Sequence, residues 1–257
     1  MEYSGNALDI LSVSTTIVIP CYNEADRLDL SQVTSYSENH RGDRFLFVDD
    51  GSTDNTAAIL EAYCRTHADT ATLMRLGTNR GKGEAVRRGV VEALNSPSDF
   101  VAFWDADFAA PLHCLTDLAQ HMTANPDVRI VLGARVKMLG FDIGRRAIRH
   151  YSGRIFATAV ALGLKAPIYD TQCGAKLFRN DDLIARVFSE PFLSRWIFDV
   201  EILARFLKIS GIEPARMGDL VKEQPLSTWH DVPGSKIGVG AGVRAVFDLA
   251  RIWWKEM

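Results

Sequence analysis

An α/β fold on a mostly parallel sheet is what this sequence predicts, and three observations predict it. Short β-branched or aromatic runs recur about every 28 residues over the first 135 positions. Each run ends in a polar turn, and a stretch with helical spacing follows it. That rhythm is the mark of βαβ units laid on a parallel sheet. The third observation is size and balance: 257 residues, 47 % hydrophobic and 24 % charged, suffice to bury a core without a disulfide or metal staple.

The strands are expected at Thr16–Pro20, Phe45–Asp49, Thr72–Leu76, Phe100–Trp104 and Arg129–Gly133. Asp54 caps a helical stretch running to His67, and Gly83-Glu84 opens another over Ala85–Asn95. After Gly133 the rhythm changes. Arg135, Lys137, Arg145, Arg146, Arg149 and Arg154 face only Asp142, and an apolar helical stretch follows at Ile155–Leu164. A polar turn with Asp170-Thr-Gln-Cys-Gly precedes Lys176-Leu-Phe, and Phe198 to Ser210 has the spacing of an amphipathic helix. The stretch 237–257 is a further amphipathic helix with a broad apolar face. No Pro/Gly/Ser linker interrupts the chain, so one domain over 1–257 is expected.

Charge and cysteine usage exclude several classes. Lys and Arg number 29 against 32 Asp and Glu, a net charge of −3, which excludes a globally basic nucleic-acid binder. The four cysteines form no C-x-x-C pair and the six histidines no i, i+4 pair, so neither zinc spacing nor a histidine metal site is present. The first residues lack a basic segment followed by an apolar one, so no export signal is read. The longest apolar stretch, Ile155 to Ile168, is broken by Lys165 and Pro167, so no membrane span is expected. The expectation is a cytoplasmic, reduced protein.

Three acidic motifs stand at strand ends, where a parallel sheet receives ligands. They are Pro20-Cys-Tyr-Asn-Glu24, Asp49-Asp-Gly-Ser-Thr-Asp54 and Asp105-Ala-Asp107. Carboxylates gathered at one sheet edge repel one another and cost solvation unless they share a cation or meet ligand donors. Asp105 and Asp107 can hold Mg²⁺ or Mn²⁺ while a bound diphosphate completes the shell; the plainer alternative is a turn with a helix cap. Gly77-Thr-Asn-Arg-Gly-Lys-Gly83 has three residues between its first glycines and Gly after Lys82, so it is not a Walker loop. It is either a plain glycine turn or one that offers N–H groups and a cation to a nucleotide.

Together these motifs resemble the family 2 glycosyltransferases of the GT-A fold, and within them the dolichyl-phosphate β-glucosyltransferase branch. The branch resemblance rests on Asn79-Arg-Gly-Lys-Gly-Glu-Ala-Val-Arg-Arg-Gly89, Gly133-Ala-Arg, Asp170-Thr-Gln-Cys-Gly-Ala-Lys-Leu-Phe178, Arg195-Trp-Ile-Phe-Asp-Val-Glu201, and Trp229 with Gly234-Ser-Lys236. It covers roughly residues 14 to 250. The resemblance implies a nucleotide-sugar-binding half over 14–135, an acceptor half over 136–236, and a C-terminal helix over 237–257. Pro20, Tyr22, Glu24 and Asp50 would line the nucleoside pocket, with Asp50 on the uracil edge, and Lys82 would lie near the nucleotide. Asp105 and Asp107 would hold Mg²⁺ or Mn²⁺ against the donor diphosphate. Arg135 and Arg149, backed by Arg145 or Arg146, would meet the acceptor phosphate. Asp170, Gln172 and Asp199 would face the sugar or act at the reacting centre.

The implied reaction is inverting, metal-dependent transfer of a hexose, glucose from UDP-glucose, to a polyprenyl phosphate. A phosphomonoester with a second pKa of about 6 is mostly ionised near neutral pH, so the acceptor needs arginines to position it more than a base. A sugar-hydroxyl acceptor would instead require Asp199 as base. Three alternatives stay open: a soluble acceptor on the same fold, a sugar nucleotidyltransferase, and a non-catalytic nucleotide-sugar binder. Members of the branch often carry an N-terminal membrane anchor, which is not seen here; Gly163-Leu-Lys, Val239–Leu249 and Ile252-Trp-Trp-Lys255 offer a route to peripheral membrane contact. Equally, Trp253 and Trp254 can belong to the core. A homodimer is the generic expectation.

Overall fold

In the computed structural model, the residues described are 13–136, 142–144, 147–230, 232 and 241–257. Among these residues seven strands form the central sheet: β1 (Thr15–Cys21), β2 (Arg44–Asp49), β3 (Ala71–Arg75), β4 (Phe100–Trp104), β5 (Ile130–Ala134), β7 (Ala175–Arg179) and β8 (Val221–Pro225). Their order across the sheet is β3-β2-β1-β4-β7-β5-β8. A separate ribbon pairs β6 (Asp142–Gly144) with β9 (Thr228–His230). The five expected strands are all present, and their ends shift by at most one residue.

The sheet is mixed. β7, built around the Lys176-Leu-Phe segment, runs antiparallel to both β4 and β5. β8 was not legible in advance, because Val-Lys-Glu-Gln-Pro has neither alternation nor an apolar run. It forms because β5 offers it a parallel edge.

Among the described residues eight α-helices cover the faces: α1 (Leu30–Asn39), α2 (Thr56–Thr66), α3 (Lys82–Leu94), α4 (Cys114–Ala124), α5 (Ala147–Leu164), α6 (Asp182–Phe188), α7 (Phe198–Ser210) and α8 (Ala241–Glu256). Asp54 starts α2 from just outside it, its carboxylate accepting from the Thr56 N–H at 3.0 Å. α3 opens at Lys82, earlier than expected, because the preceding turn is fixed by bonds described below. Successive strand residues serve opposite faces. Val18, Val48 and Phe103 pack with α3, α7 and α8 on one side, and Ile17, Phe47 and Trp104 pack with α1, α2 and α4 on the other. Burial on both faces is why the strands are near-continuous apolar runs.

The chain steps outward from β1 to β3 and then returns to β4 on the other side of β1. That reversal opens a crevice beyond the carboxyl ends of β1 and β4, the usual ligand position in such sheets. Among the described residues, no helix is long and apolar enough to cross a membrane.

Candidate active site

The turns after β1 and β2 are laced into one unit. Asn23 lies in the left-handed region (φ 50°), a conformation Asn tolerates better than most residues. From there its side-chain oxygen accepts from the Thr53 N–H at 2.8 Å, while its own N–H donates to Ser52 Oγ at 3.0 Å. The Glu24 N–H donates to Thr56 Oγ1 at 2.8 Å, and the Glu24 carboxylate receives Arg27 Nε at 2.9 Å and Nη2 at 2.6 Å.

Asp50 extends the lacing to the turn before α3. Its two carboxylate oxygens accept from the Arg80 N–H at 2.7 Å and the Gly81 N–H at 2.8 Å. Burial raises its pKa from the ordinary value against these N–H groups. Gly81 has φ +97°, and a Cβ there would lie 2.4 Å from Arg195 Nε, so position 81 needs glycine on both counts.

These turns surround a cleft of about 460 Å³. All seven residues expected on the donor side line it: Pro20, Tyr22, Glu24, Asp50, Lys82, Asp105 and Asp107. Arg27, Asn79, Arg195 and Trp196 line it too, without having been given a role from the sequence. Arg195 and Trp196 belong to a motif visible in the sequence, whose part in this wall needed the fold. For Arg27 the only signal is its place one helical turn after Glu24.

Lys82 and the two aspartates form the charged floor. Lys82 Nζ lies 2.6 Å from Asp105 Oδ1 and 5.3 Å from the centre of the Phe103 ring. Burial works against the ammonium, yet Asp105 and Asp199 outweigh it and hold the Lys82 pKa above its ordinary value. Asp107 accepts from the Ala109 N–H at 3.1 Å, and burial together with the Asp105 charge pushes its carboxyl pKa up. Two carboxylates two residues apart, one with its charged form disfavoured, are the donor set a hard divalent cation would relieve. Among the described residues no group of three or more His, Cys, Asp or Glu could hold an ion alone. The pair therefore fits a cation whose shell is completed by ligand oxygens. Gly174 shapes this floor: its carbonyl accepts from the Asp105 N–H at 2.9 Å, and a Cβ on it would fall 2.0 Å from the Asp105 carboxylate.

A second charged layer lies outside the cleft lining. Arg135 grips Asp170 with Nε at 2.7 Å and Nη2 at 2.8 Å, and its guanidinium lies 5.5 Å from the centre of the Trp229 ring. Burial opposes the Arg135 charge, but the Asp170 carboxylate outweighs it and raises its pKa. Lys176, 1 % exposed, places Nζ 2.6 Å from Asp199 Oδ1 and donates to the Cys173 carbonyl. Gln172 Nε2 donates to Asp199 Oδ2 at 3.3 Å. Burial raises the Asp199 pKa, with Lys176 and Lys82 opposing. Cys173, in the same turn, is buried with its thiol pushed up to about 12, so it is a packing residue and not a nucleophile. Arg145, Arg146 and Gly234-Ser-Lys236 lie outside the described residues. Arg149 falls within α5, and its side chain is likewise outside them.

A match to glycosyl transferase family 2 spans residues 16–186, from β1 through the two carboxylate turns to α6. The chain belongs to glycosyltransferase family 2. The dolichyl-phosphate beta-glucosyltransferase of Saccharomyces cerevisiae is 33 % identical over 243 residues, which cover 87 % of this chain and 69 % of that protein. The Homo sapiens dolichyl-phosphate beta-glucosyltransferase is 30 % identical over 245 residues, covering 86 % of this chain and 69 % of its own. Among solved structures, Mycobacterium tuberculosis glucosyl-3-phosphoglycerate synthase in complex with Mn²⁺ and UDP-glucose superposes with a TM-score of 0.68 at 18 % identity, covering 98 % of this chain and 85 % of that one. Mannosyl-3-phosphoglycerate synthase from Rubrobacter xylanophilus gives 0.66 at 20 % identity, covering 94 % and 73 %. These two likenesses establish the fold, and this family 2 glycosyltransferase has the GT-A architecture its motifs implied.

Proposed function

We propose that this glycosyltransferase moves glucose from UDP-glucose to a polyprenyl phosphate of the dolichyl type, inverting the configuration at C1. The observation that carries the reading is the cleft floor. Asp105 and Asp107 supply two carboxylates beside Lys82, and a diphosphate is the oxygen-rich group that would complete a cation's shell between them. The acceptor assignment is supported by similarity to the two dolichyl-phosphate beta-glucosyltransferases.

In this reading Asp105 and Asp107 would hold Mg²⁺ or Mn²⁺, which would supply positive charge to the departing nucleoside diphosphate. Lys82 adds a fixed positive charge on the same side and needs no reorganisation as the bond breaks. Pro20, Tyr22, Glu24 and Asp50 form the nucleoside wall, with Asp50 also tying that wall to the turn before α3. An acceptor phosphate arrives already ionised, so orientation is what the protein must supply. Arg135 is suited to orienting it. A guanidinium has five N–H donors and Asp170 engages two groups of the fork, leaving its outer edge for phosphate oxygens. Asp199, paired with the buried Lys176 at 2.6 Å behind the cleft lining, serves to fix that layer and not as the base a hydroxyl acceptor would need. A polyprenyl acceptor is anchored in a bilayer, so the enzyme works at a membrane surface.

The test is a transfer assay with labelled UDP-glucose and Mg²⁺ or Mn²⁺, with and without a short polyprenyl phosphate, and with GDP-mannose as control donor. Label extracting into organic solvent only when lipid is present is the expected result. UDP release without a lipid product would move the acceptor to a soluble compound.

A further inference from the structure

α8 presents two unlike sides. Leu249 and Ile252 point into the core, and the Glu256 carboxylate lies 3.2 Å from Lys208 Nζ. The opposite side exposes Val246 (67 %), Phe247 (68 %) and Trp254 (93 %), large apolar groups with no place in an ordinary solvated face. At 100° per residue these three fall on one stripe, and Arg244, Arg251 and Lys255, all exposed, run along its edge. The sequence left open whether the C-terminal tryptophans pack inward or outward. The structure divides them: Trp253 is half-buried and Trp254 projects outward.

The patch continues onto α5. Leu162 is 74 % exposed, and a Cβ on its neighbour Gly163 would sit 2.1 Å from the Trp253 ring, so the end of α5 abuts α8. On its other flank α8 touches the cleft wall. Ser194 Oγ donates to Asp248 Oδ2 at 2.7 Å, and Ser194 directly precedes Arg195 and Trp196.

We propose that this face of α8 is the protein's contact with a bilayer surface carrying anionic headgroups. Val246, Phe247 and Trp254 enter the boundary between headgroups and acyl chains, where tryptophan is at home. Arg244, Arg251 and Lys255 meet lipid phosphates. The sign of the charges selects this occupant. The acidic residue beside the stripe, Asp248, accepts from Ser194 with one carboxylate oxygen and meets Arg251 only at 3.9 Å with the other. With Arg244, Arg251 and Lys255 exposed, the outward face is net basic and a second copy set against it would repel. The inference deepens the lipid-phosphate reading and rests on it for its purpose, since a surface-bound α8 sets the Arg195-Trp196 wall beside the membrane.

The experiment is flotation of the full chain with vesicles of phosphatidylcholine alone or mixed with phosphatidylglycerol, without donor or acceptor. It can therefore fail while glucosyl transfer succeeds, and the reverse. Expected is binding to the mixed vesicles that weakens as salt rises and falls at least tenfold in the Phe247→Glu, Trp254→Glu double variant. Arg244→Gln with Arg251→Gln should remove most of the preference for phosphatidylglycerol. Both variants change exposed side chains, and unaltered UDP-glucose binding checks their folding. Failure of the wild-type chain to bind either vesicle would overturn the proposal, as would equal binding by the double variant. Self-association by the wild-type chain that the double variant abolishes would also overturn it, assigning the face to a second copy.

Discussion

Around the cleft, Asp50, Asn23 and Asp107 are held by backbone N–H groups, and Glu24 and Asp105 pair with the part-exposed cations of Arg27 and Lys82. In the layer outside its lining, carboxylates are held by cations: Asp170 by Arg135, Asp199 by Lys176 and Glu201 by Arg205 at 2.6 Å. A carboxylate held by backbone N–H groups keeps lone pairs for a ligand, and the Asp105–Asp107 pair keeps room for a cation. A carboxylate gripped by a buried cation has its charge spent, so it fixes shape more than it binds. The first region is built to receive charge and the second to cancel its own.

The largest effect should come from the receiving region. On the proposed assignment Asp107→Ala removes one of the two carboxylates that would hold the cation, and transfer should fall by about 100- to 1,000-fold, the scale for deleting one group that stabilises developing charge. Initial rates at fixed metal concentration measure it, and chelation should abolish activity until Mg²⁺ or Mn²⁺ is returned. Intact activity would break the comparison.

In the cancelling region the damage should appear as stability. Glu201 is fully buried; it accepts from the Leu193 N–H at 2.8 Å, and Arg205 also donates to the Glu190 and Pro191 carbonyls. Glu201→Ala removes the close carboxylate partner of Arg205, leaving it the two carbonyls and Glu256 Oε1 at 3.7 Å, and should cost about 3 kcal/mol in denaturant unfolding. Arg135→Lys keeps a charge but loses the planar fork on Asp170, a milder change of about 1.5–3 kcal/mol by the same measurement. At the bottom of the scale, Arg75 and Glu61 pair at 2.7 Å with both side chains about half exposed, so Glu61→Ala should move stability by less than about 1 kcal/mol. Equal losses at Glu61 and Glu201 would remove the distinction between buried and exposed pairs.

The same division explains what the sequence disclosed. β1, β2 and β4 are local apolar runs, their acidic turns follow directly, and topology brings those turns to one crevice; seven residues of the cleft lining were therefore nameable from the sequence. The pairing of Arg135 with Asp170 and of Lys176 with Asp199 joins residues far apart in sequence. Those pairs depend on β7 entering antiparallel between β4 and β5, which no local pattern announces. Gly174 was visible as part of a motif, but its approach to Asp105 depends on that same strand. β8 escaped notice because Val221–Pro225 lacks any strand periodicity.

The most direct measurement is calorimetric titration of UDP-glucose with Mn²⁺ into the wild-type chain, Asp107→Ala and Arg135→Lys, with no acceptor present. Binding by the wild-type chain and by Arg135→Lys, together with its loss in Asp107→Ala, is the expected result, since the proposed function places the donor in the cleft and Arg135 outside its lining. Loss in Arg135→Lys with retention in Asp107→Ala would contradict the assignment of the cleft to the donor.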